Sequence, residues 1–201
     1  MSQLDYKIKC SFDFILSLIG AFVLFPVILI AWLVASIETK SNGFYFQKRV
    51  GKDGRTFLLI KIKTMRIIEG FNSNITLLGD KRITRSGALF RKLKVDELPQ
   101  IWNVLLGQMS FVGPRPDVIG YADKLTGKDK KILSIRPGIT GPASIKYKNE
   151  GKLLSKCDNP QKYNDEVIWP DKVKINYEYL ANWSLRRDIL YIYLTIVDKD
   201  E

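Results

Sequence analysis

From Phe14 to Ile37 the chain runs 24 residues without a charge, its longest apolar stretch. Coiled as a helix at about 1.5 Å per residue, this run reaches roughly 36 Å, enough to cross a bilayer. It is too long for the apolar core of a cleaved signal peptide, and no small-residue cleavage site follows it. A buried core helix of a soluble protein would show the same pattern. Pro26 falls near the middle, where it removes one backbone hydrogen bond and displaces the carbonyl of Phe22, favouring a bend. A straight crossing with the body in the cytoplasm would leave Lys7 and Lys9 outside, against the positive-inside tendency. A helix that enters, bends at Phe25-Pro26 and returns keeps every lysine on one face. The need to satisfy the backbone at the bend limits how far it can open. The re-entrant form is the expectation.

Beyond the apolar run the pattern shortens. Phe44–Val50 and Thr56–Lys63 read as strands, and Gly51-Lys-Asp-Gly54 between them predicts a hairpin. Residues 66–84 are polar and irregular and read as a mobile loop. A helix is predicted from about Glu97 to Leu106, closed by Gly107. Further helices are predicted near 117–125, 128–134, 171–181 and 184–198. The last begins with Arg186-Arg187 and continues with Tyr191, Tyr193 and aliphatic residues, which suits a membrane surface or an ordinary core face equally. No internal repeat, low-complexity tract or long linker divides the chain. The fold class is therefore α+β: a helix-rich single domain with a small β-hairpin and an N-terminal re-entrant membrane helix hairpin bent at Pro26. Residues 1–40 form the anchor and 41–201 a cytoplasmic body with membrane-surface helices.

Charge sharpens this division. The 201-residue chain carries a formal +11, yet residues 1–40 balance Lys7, Lys9 and Lys40 against Asp5, Asp13 and Glu38. The whole excess lies in 41–201, which points to polyanionic partners: nucleic acid, anionic headgroups or phosphorylated substrates. The absence of histidine excludes histidine bases, Ser-His-Asp triads and histidine-ligated metals. Cys10 and Cys157 are far apart and read as reduced cytosolic thiols.

The remaining chemistry concentrates between Arg91 and Pro116. Asp96-Glu97 is a carboxylate pair just before Pro99, which is tolerated in a first helical turn, so Asp96 is expected at or near an N-cap. Capping alone would explain an acid pair there. The positive end of a helix, with Arg91 nearby, would also hold Asp96 ionised and ready as a nucleophile. Two adjacent carboxylates repel, and a divalent cation with oxygen ligands, magnesium where phosphates complete its shell, relieves that. Lys61 and Lys63 alternate on one face of the second strand. Arg115 stands between Pro114 and Pro116 after Gly113, a rigid presentation suited to bidentate phosphate binding. Arg136-Pro-Gly138-Ile-Thr140-Gly141 repeats the design, with glycine amides and a threonine hydroxyl able to meet an anion. Each segment alone could be a structural turn.

Taken together, these segments resemble the bacterial sugar transferases, the monotopic phosphoglycosyl transferases. The resemblance covers the apolar hairpin, Lys61-Ile-Lys-Thr-Met65, Arg91 through Pro116, Arg136 through Gly141, and Asn182-Trp-Ser with Asp188. It implies that Asp96 attacks the sugar-linked phosphate of a UDP-sugar and releases UMP. Polyprenyl phosphate then takes the phosphosugar in a ping-pong scheme. It further implies that Asp96 and Glu97 serve magnesium, that Lys61, Arg91, Arg115 and Arg136 hold phosphates, and that no nucleic acid is involved. The implied location is the bacterial inner membrane, with the catalytic domain on its cytoplasmic face. Three departures from the family pattern stand out: Phe25 before Pro26 instead of serine, Pro142 through Glu150 after the glycine turn, and Asn176 in place of a frequent aspartate. Competing readings are a membrane-tethered basic protein binding nucleic acid or anionic lipid, and a phosphohydrolase using the same aspartate.

Overall fold

In the computed structural model, which describes residues 1–66, 80 and 82–197, the apolar run extends into one long helix, α1 (Gln3–Thr39), with Pro26 inside it. Among the described residues it is the one helix long and apolar enough to cross a membrane. Its inward positions recur at helical spacing, with Lys9, Asp13, Ser17, Ile28, Ala31 and Ala35 buried. The opposite side bears Phe14, Ile15, Leu18, Ile19, Phe22, Val23 and Ile30, all open, Phe22 at 85% exposure. An apolar surface of this extent belongs against lipid or a partner.

Strands β1 (Phe44–Val50) and β2 (Thr56–Ile62) pair as the predicted hairpin. Their connection is a 3-10 turn, Lys52–Gly54, in which Asp53 and Gly54 take positive φ of 57° and 77°. The predicted loop 66–84 is described only at its ends. Residues 67–79 and 81 lie outside the described residues, while Met65 and Ile83 form an antiparallel bridge. Helix α2 (Arg85–Lys92) follows, capped by the Thr84 side chain, which accepts the Gly87 N–H at 2.9 Å.

The helix predicted from Glu97 begins later, as α3 (Gln100–Leu105). Before it Val95–Glu97 forms a 3-10 turn, entered through Lys94 in the left-handed region at φ 58°. The reason is local. Pro99 cannot donate, so α-helical bonding cannot run unbroken through it, and Ile101 and Trp102 bond three residues back to Leu98 and Pro99 at 3.1 and 3.0 Å.

Strands β3 (Ser110–Val112) and β4 (Gly138–Thr140) form a second, parallel pair with Ser110 opposite Gly138 and Val112 opposite Thr140. Sequence patterning does not reveal these three-residue strands. The predicted helices at 117–125 and 128–134 are short 3-10 turns, Ala122–Lys124 and Asp129–Ser134. Helices α4 (Pro142–Lys146), α5 (Glu150–Leu154) and α6 (Pro160–Tyr163) lead through a π turn, Asn164–Ile168, into α7 (Trp169–Ala181). Pro170, without an N–H, fits the register change of that wide turn. Helix α8 (Leu185–Val197) closes the described chain.

The chain forms two compact units. One comprises Met1–Phe14, Lys48–Phe57 and Leu106–Glu201; the other comprises Ile15–Gln47 and Leu58–Leu105. The first has a core of Val50, Ala122, Ile132, Leu133 and Val173, with Trp169 and Tyr177 packed against it. A second cluster there joins Val112, Ile135 and Tyr179 to Tyr6, Trp183 and Tyr191. In the second unit Leu59, Ile62, Ile101 and Val104 are buried. Gly20 of α1 passes so close to Ile101 that an added Cβ would come within 2.5 Å of its side chain.

Candidate active site

The acid pair sits on the 3-10 turn Val95–Glu97 of the second unit, so Asp96 precedes α3 by a turn and does not cap it. Lys61, at the end of β2, reaches Glu97 and donates to its Oε1 at 2.9 Å, both side chains 19% exposed. Lys63, expected on the same face, donates to Ser41 Oγ at 2.8 Å. Arg91, in the last turn of α2, donates its Nε–H to Thr64 Oγ1 at 2.8 Å. Both Lys61 and Arg91 act electrostatically on Asp96 and lower its pKa.

These cations do not prevail. Burial of the Asp96 carboxyl, and then the charge of Glu97 beside it, push its pKa above the ordinary carboxylate value. The charge of Arg91, expected to favour the ionised form, does lower the Asp96 pKa, but burial and Glu97 outweigh it. The acid pair lies on a three-residue turn and shares Lys61, which touches Glu97 and acts on Asp96 only electrostatically. Such a site has unmet demand for positive charge. Among the described residues no cluster of three or more acids or cysteines forms a ready metal cage. Asp96 and Glu97 would thus be a two-carboxylate platform of the sort magnesium uses when phosphate oxygens and water supply the remaining ligands.

The other two predicted arginines belong to the first unit. Arg115 is exposed between buried Pro114 and Pro116. Arg136 is half-buried, its guanidinium lying over Gly107, where a Cβ would meet Nη2 at 3.1 Å. The glycines near them serve backbone packing. Gly113 N–H donates to Thr140 O at 2.9 Å and Gly138 N–H to Pro114 O at 2.8 Å. A Cβ on Gly138 would stand 2.1 Å from Gly113 N. The Thr140 hydroxyl is hydrogen-bonded to that of Thr195 at 2.6 Å. The Gly138 amide and this hydroxyl, read from sequence as able to meet an anion, are engaged instead with the segment after β3 and with α8.

Three features of this unit escape sequence reading. Asp117 follows Pro116 and has its carboxyl crowded by protein; burial raises its pKa to about 6 against the charges of Lys172, Arg49 and Arg115, while Glu150 adds to the rise. A cavity of about 20 Å³, room for about one water, is lined by Arg115, Asp117 and Asn176 among others, and Asn176 Oδ1 is buried there with no hydrogen-bond partner among the described residues. Finally, Lys9 and Asp188 form a fully buried ion pair at 2.6 Å. Tyr179 OH and Trp183 Nε1–H also donate to Asp188, at 2.6 and 3.0 Å, and Phe111 N–H donates to Asp13 at 3.1 Å. Only the spacing of Lys9 and Asp13 on one helix face hints at this in the sequence.

The segment that departs from the family pattern, Pro142–Glu150, is tied to α7. Lys146 and Tyr147 both donate to Asp171 at 2.6 Å, and Lys172 donates to Glu150 at 2.7 Å.

The model of the family described as bacterial sugar transferase matches residues 4–199. The exopolysaccharide production protein ExoY of Sinorhizobium fredii is 31% identical over 94% of this chain and 83% of its own length. The uncharacterized sugar transferase EpsL of Bacillus subtilis is 34% identical over 85% of this chain and 76% of its own length. The UDP-glucose:undecaprenyl-phosphate glucose-1-phosphate transferase of Xanthomonas campestris pv. campestris is 32% identical over 92% of this chain, which spans 37% of that longer protein. A match running from the first turn of α1 to the end of α8 leaves one assignment: this chain is an enzyme of the bacterial sugar transferase family.

Proposed function

We propose that the chain transfers a sugar-1-phosphate from a UDP-sugar to polyprenyl (undecaprenyl) phosphate, releasing UMP, as a first membrane step of glycoconjugate assembly. The observation that carries this reading is the Asp96-Glu97 pair on a half-buried turn beside Lys61 and Arg91. The Asp96 carboxylate attacks the sugar-linked phosphorus, the bond from that phosphorus to the UMP oxygen breaks, and UMP departs with the bonding electrons. An oxygen of polyprenyl phosphate then attacks the same phosphorus and the Asp96 carboxylate is released. Two anionic substrates must approach an anionic nucleophile, so positive charge at the site lowers the barrier. Lys61 and Arg91 supply it at the acid pair, and the rigidly presented Arg115, with Arg136, serves substrate phosphates. Magnesium bound by Asp96 and Glu97 would neutralise phosphate charge there.

The membrane arrangement belongs to the same reading. Helix α1 enters the inner membrane from the cytoplasmic face and bends at Pro26, where the Phe22 carbonyl loses its partner. The chain leaves the first compact unit at Phe14 and rejoins it at Lys48, and Lys9 is locked to Asp188 within that unit. A one-way crossing would place parts of one compact body on both sides of the bilayer. Helix α8 adds an apolar side of Ile189, Leu190, Tyr193, Ile196 and Val197, exposed alongside Arg186 and Arg187, suited to the headgroup level.

The test is UMP release by detergent-solubilised protein given magnesium, polyprenyl phosphate and a panel of UDP-sugars, with Asp96→Asn in parallel. Release with one sugar, lost by roughly 10⁴-fold or more in the variant, is expected. Release by folded wild type that persists in Asp96→Asn would remove the nucleophile assignment.

A further inference from the structure

We propose that Thr64 is the positioning residue of Arg91, holding both ends of the helix that carries the arginine and fixing its guanidinium toward the acid pair. The inference rests on the reading of Asp96-Glu97 as the reacting pair. Thr64 is 6% exposed and directly follows the Lys61–Lys63 segment. Its hydroxyl accepts the Arg91 Nε–H at 2.8 Å, at the C-terminal end of α2. Its carbonyl accepts the N–H of Thr84, the N-cap of the same helix, at 3.0 Å. Thr84 in turn caps Gly87, and a Cβ at Gly87 would lie 2.3 Å from the Thr64 carbonyl oxygen. So α2 is docked at its start by the Thr64 carbonyl, through an approach only glycine permits, and at its end by the Thr64 hydroxyl. Glu38 also holds the first turn of α2, accepting from the Ser86 N–H and hydroxyl, but Thr64 meets both ends of the helix and turns its arginine.

The point of attachment matters chemically. A bond at Nε fixes the guanidinium plane and turns the two terminal nitrogens toward other partners, the geometry bidentate phosphate binding needs. Arg91 already acts on Asp96 electrostatically. Lys61, three residues before Thr64, pairs with Glu97. The stretch 61–64 therefore places one cation at each carboxylate: Lys61 by direct contact, and Arg91 through Thr64.

Valine matches threonine in shape and keeps the carbonyl, so Thr64→Val removes the hydroxyl while leaving the Thr84 contact intact. With UDP-sugar and acceptor, Thr64→Val is expected to lower kcat roughly 10- to 100-fold, the scale of a hydrogen bond to a charged group. Thr64→Ser should stay within about threefold of wild type, since serine restores the acceptor. In an Arg91→Lys background, which keeps a cation but has no Nε, Thr64→Val should add less than about twofold. A second readout needs no substrate: the Arg91 Nε–H, observed by ¹⁵N-arginine NMR, is slow to exchange in wild type and Thr64→Ser and fast in Thr64→Val. The proposal is overturned if Thr64→Val keeps wild-type kcat, if its loss is undiminished in Arg91→Lys, or if Arg91 Nε–H protection is the same in all three proteins. Asp96→Asn separates the two readings. Activity surviving there ends the assignment of the acid pair, whereas activity lost there but kept in Thr64→Val ends only the positioning role.

Discussion

Asp96 and Asp117 are both pushed above the ordinary carboxylate value, with different surroundings. Asp96 has a second acid beside it, and burial together with that charge outweighs Lys61 and Arg91. Asp117 stands among Arg49, Arg115 and Lys172, and burial still outweighs them. A raised folded-state pKa means the protonated form is favoured in the fold, so its stability contribution is full below the unfolded pKa and is lost as pH rises through about 6. Asp117→Asn should therefore raise Tm relative to wild type most at pH 7.5, with the difference shrinking as pH falls through about 6. A Tm difference that is flat with pH, or that grows on acidification, would contradict this. The sequence makes Asp96, Glu97, Lys61 and Arg91 legible because acids and cations crowd a short stretch. Asp117 is not legible: its surroundings come from β1, α5 and α7, far away in the chain. Thr64 is likewise silent, since its importance lies in a hydroxyl and a carbonyl used on two ends of one helix.

Among the elements, those with long periodic patterns are readable: the β1–β2 hairpin, α7 and α8 match their predictions within a few residues, and α1 contains the apolar run from Phe14 to Ile37 but begins well before it, at Gln3. Those set by backbone constraints are not. Pro99 and left-handed Lys94 turn the expected helix start into a 3-10 turn, and the β3–β4 pair exists because Gly113 and Gly138 let two segments touch. The function of α1 turns on whether it returns to its starting face. In a Cys10→Ser, Cys157→Ser background, single cysteines at Ser2 and at Ser41 should both resist an impermeant thiol reagent in intact cells and both react after lysis. Labelling of either in intact cells would rule out the re-entrant arrangement.

At the scale of the molecule, a neutral 40-residue N-terminal segment and a body carrying the whole +11 are the charge division that the proposed reaction, between phosphates at a bilayer surface, calls for. In the proposed function the apolar side of α1 is assigned to lipid and the basic body to phosphate. Family membership fixes the enzyme class, and Lys146, Tyr147 and Glu150, in the segment read from sequence as departing from the family pattern, are anchored on α7.

The central claim is a covalent phosphosugar on Asp96, and a single-turnover reaction without acceptor tests it most directly. Enzyme is mixed with the UDP-sugar it uses and magnesium, quenched, and followed by UMP release and by intact-protein mass. The account predicts about one UMP per enzyme before any lipid is added, a mass increase equal to the phosphosugar that maps to Asp96, and neither in Asp96→Asn. UMP release that waits for polyprenyl phosphate, with no adduct at any time in an enzyme active once lipid is supplied, would contradict it and require direct transfer between the two substrates.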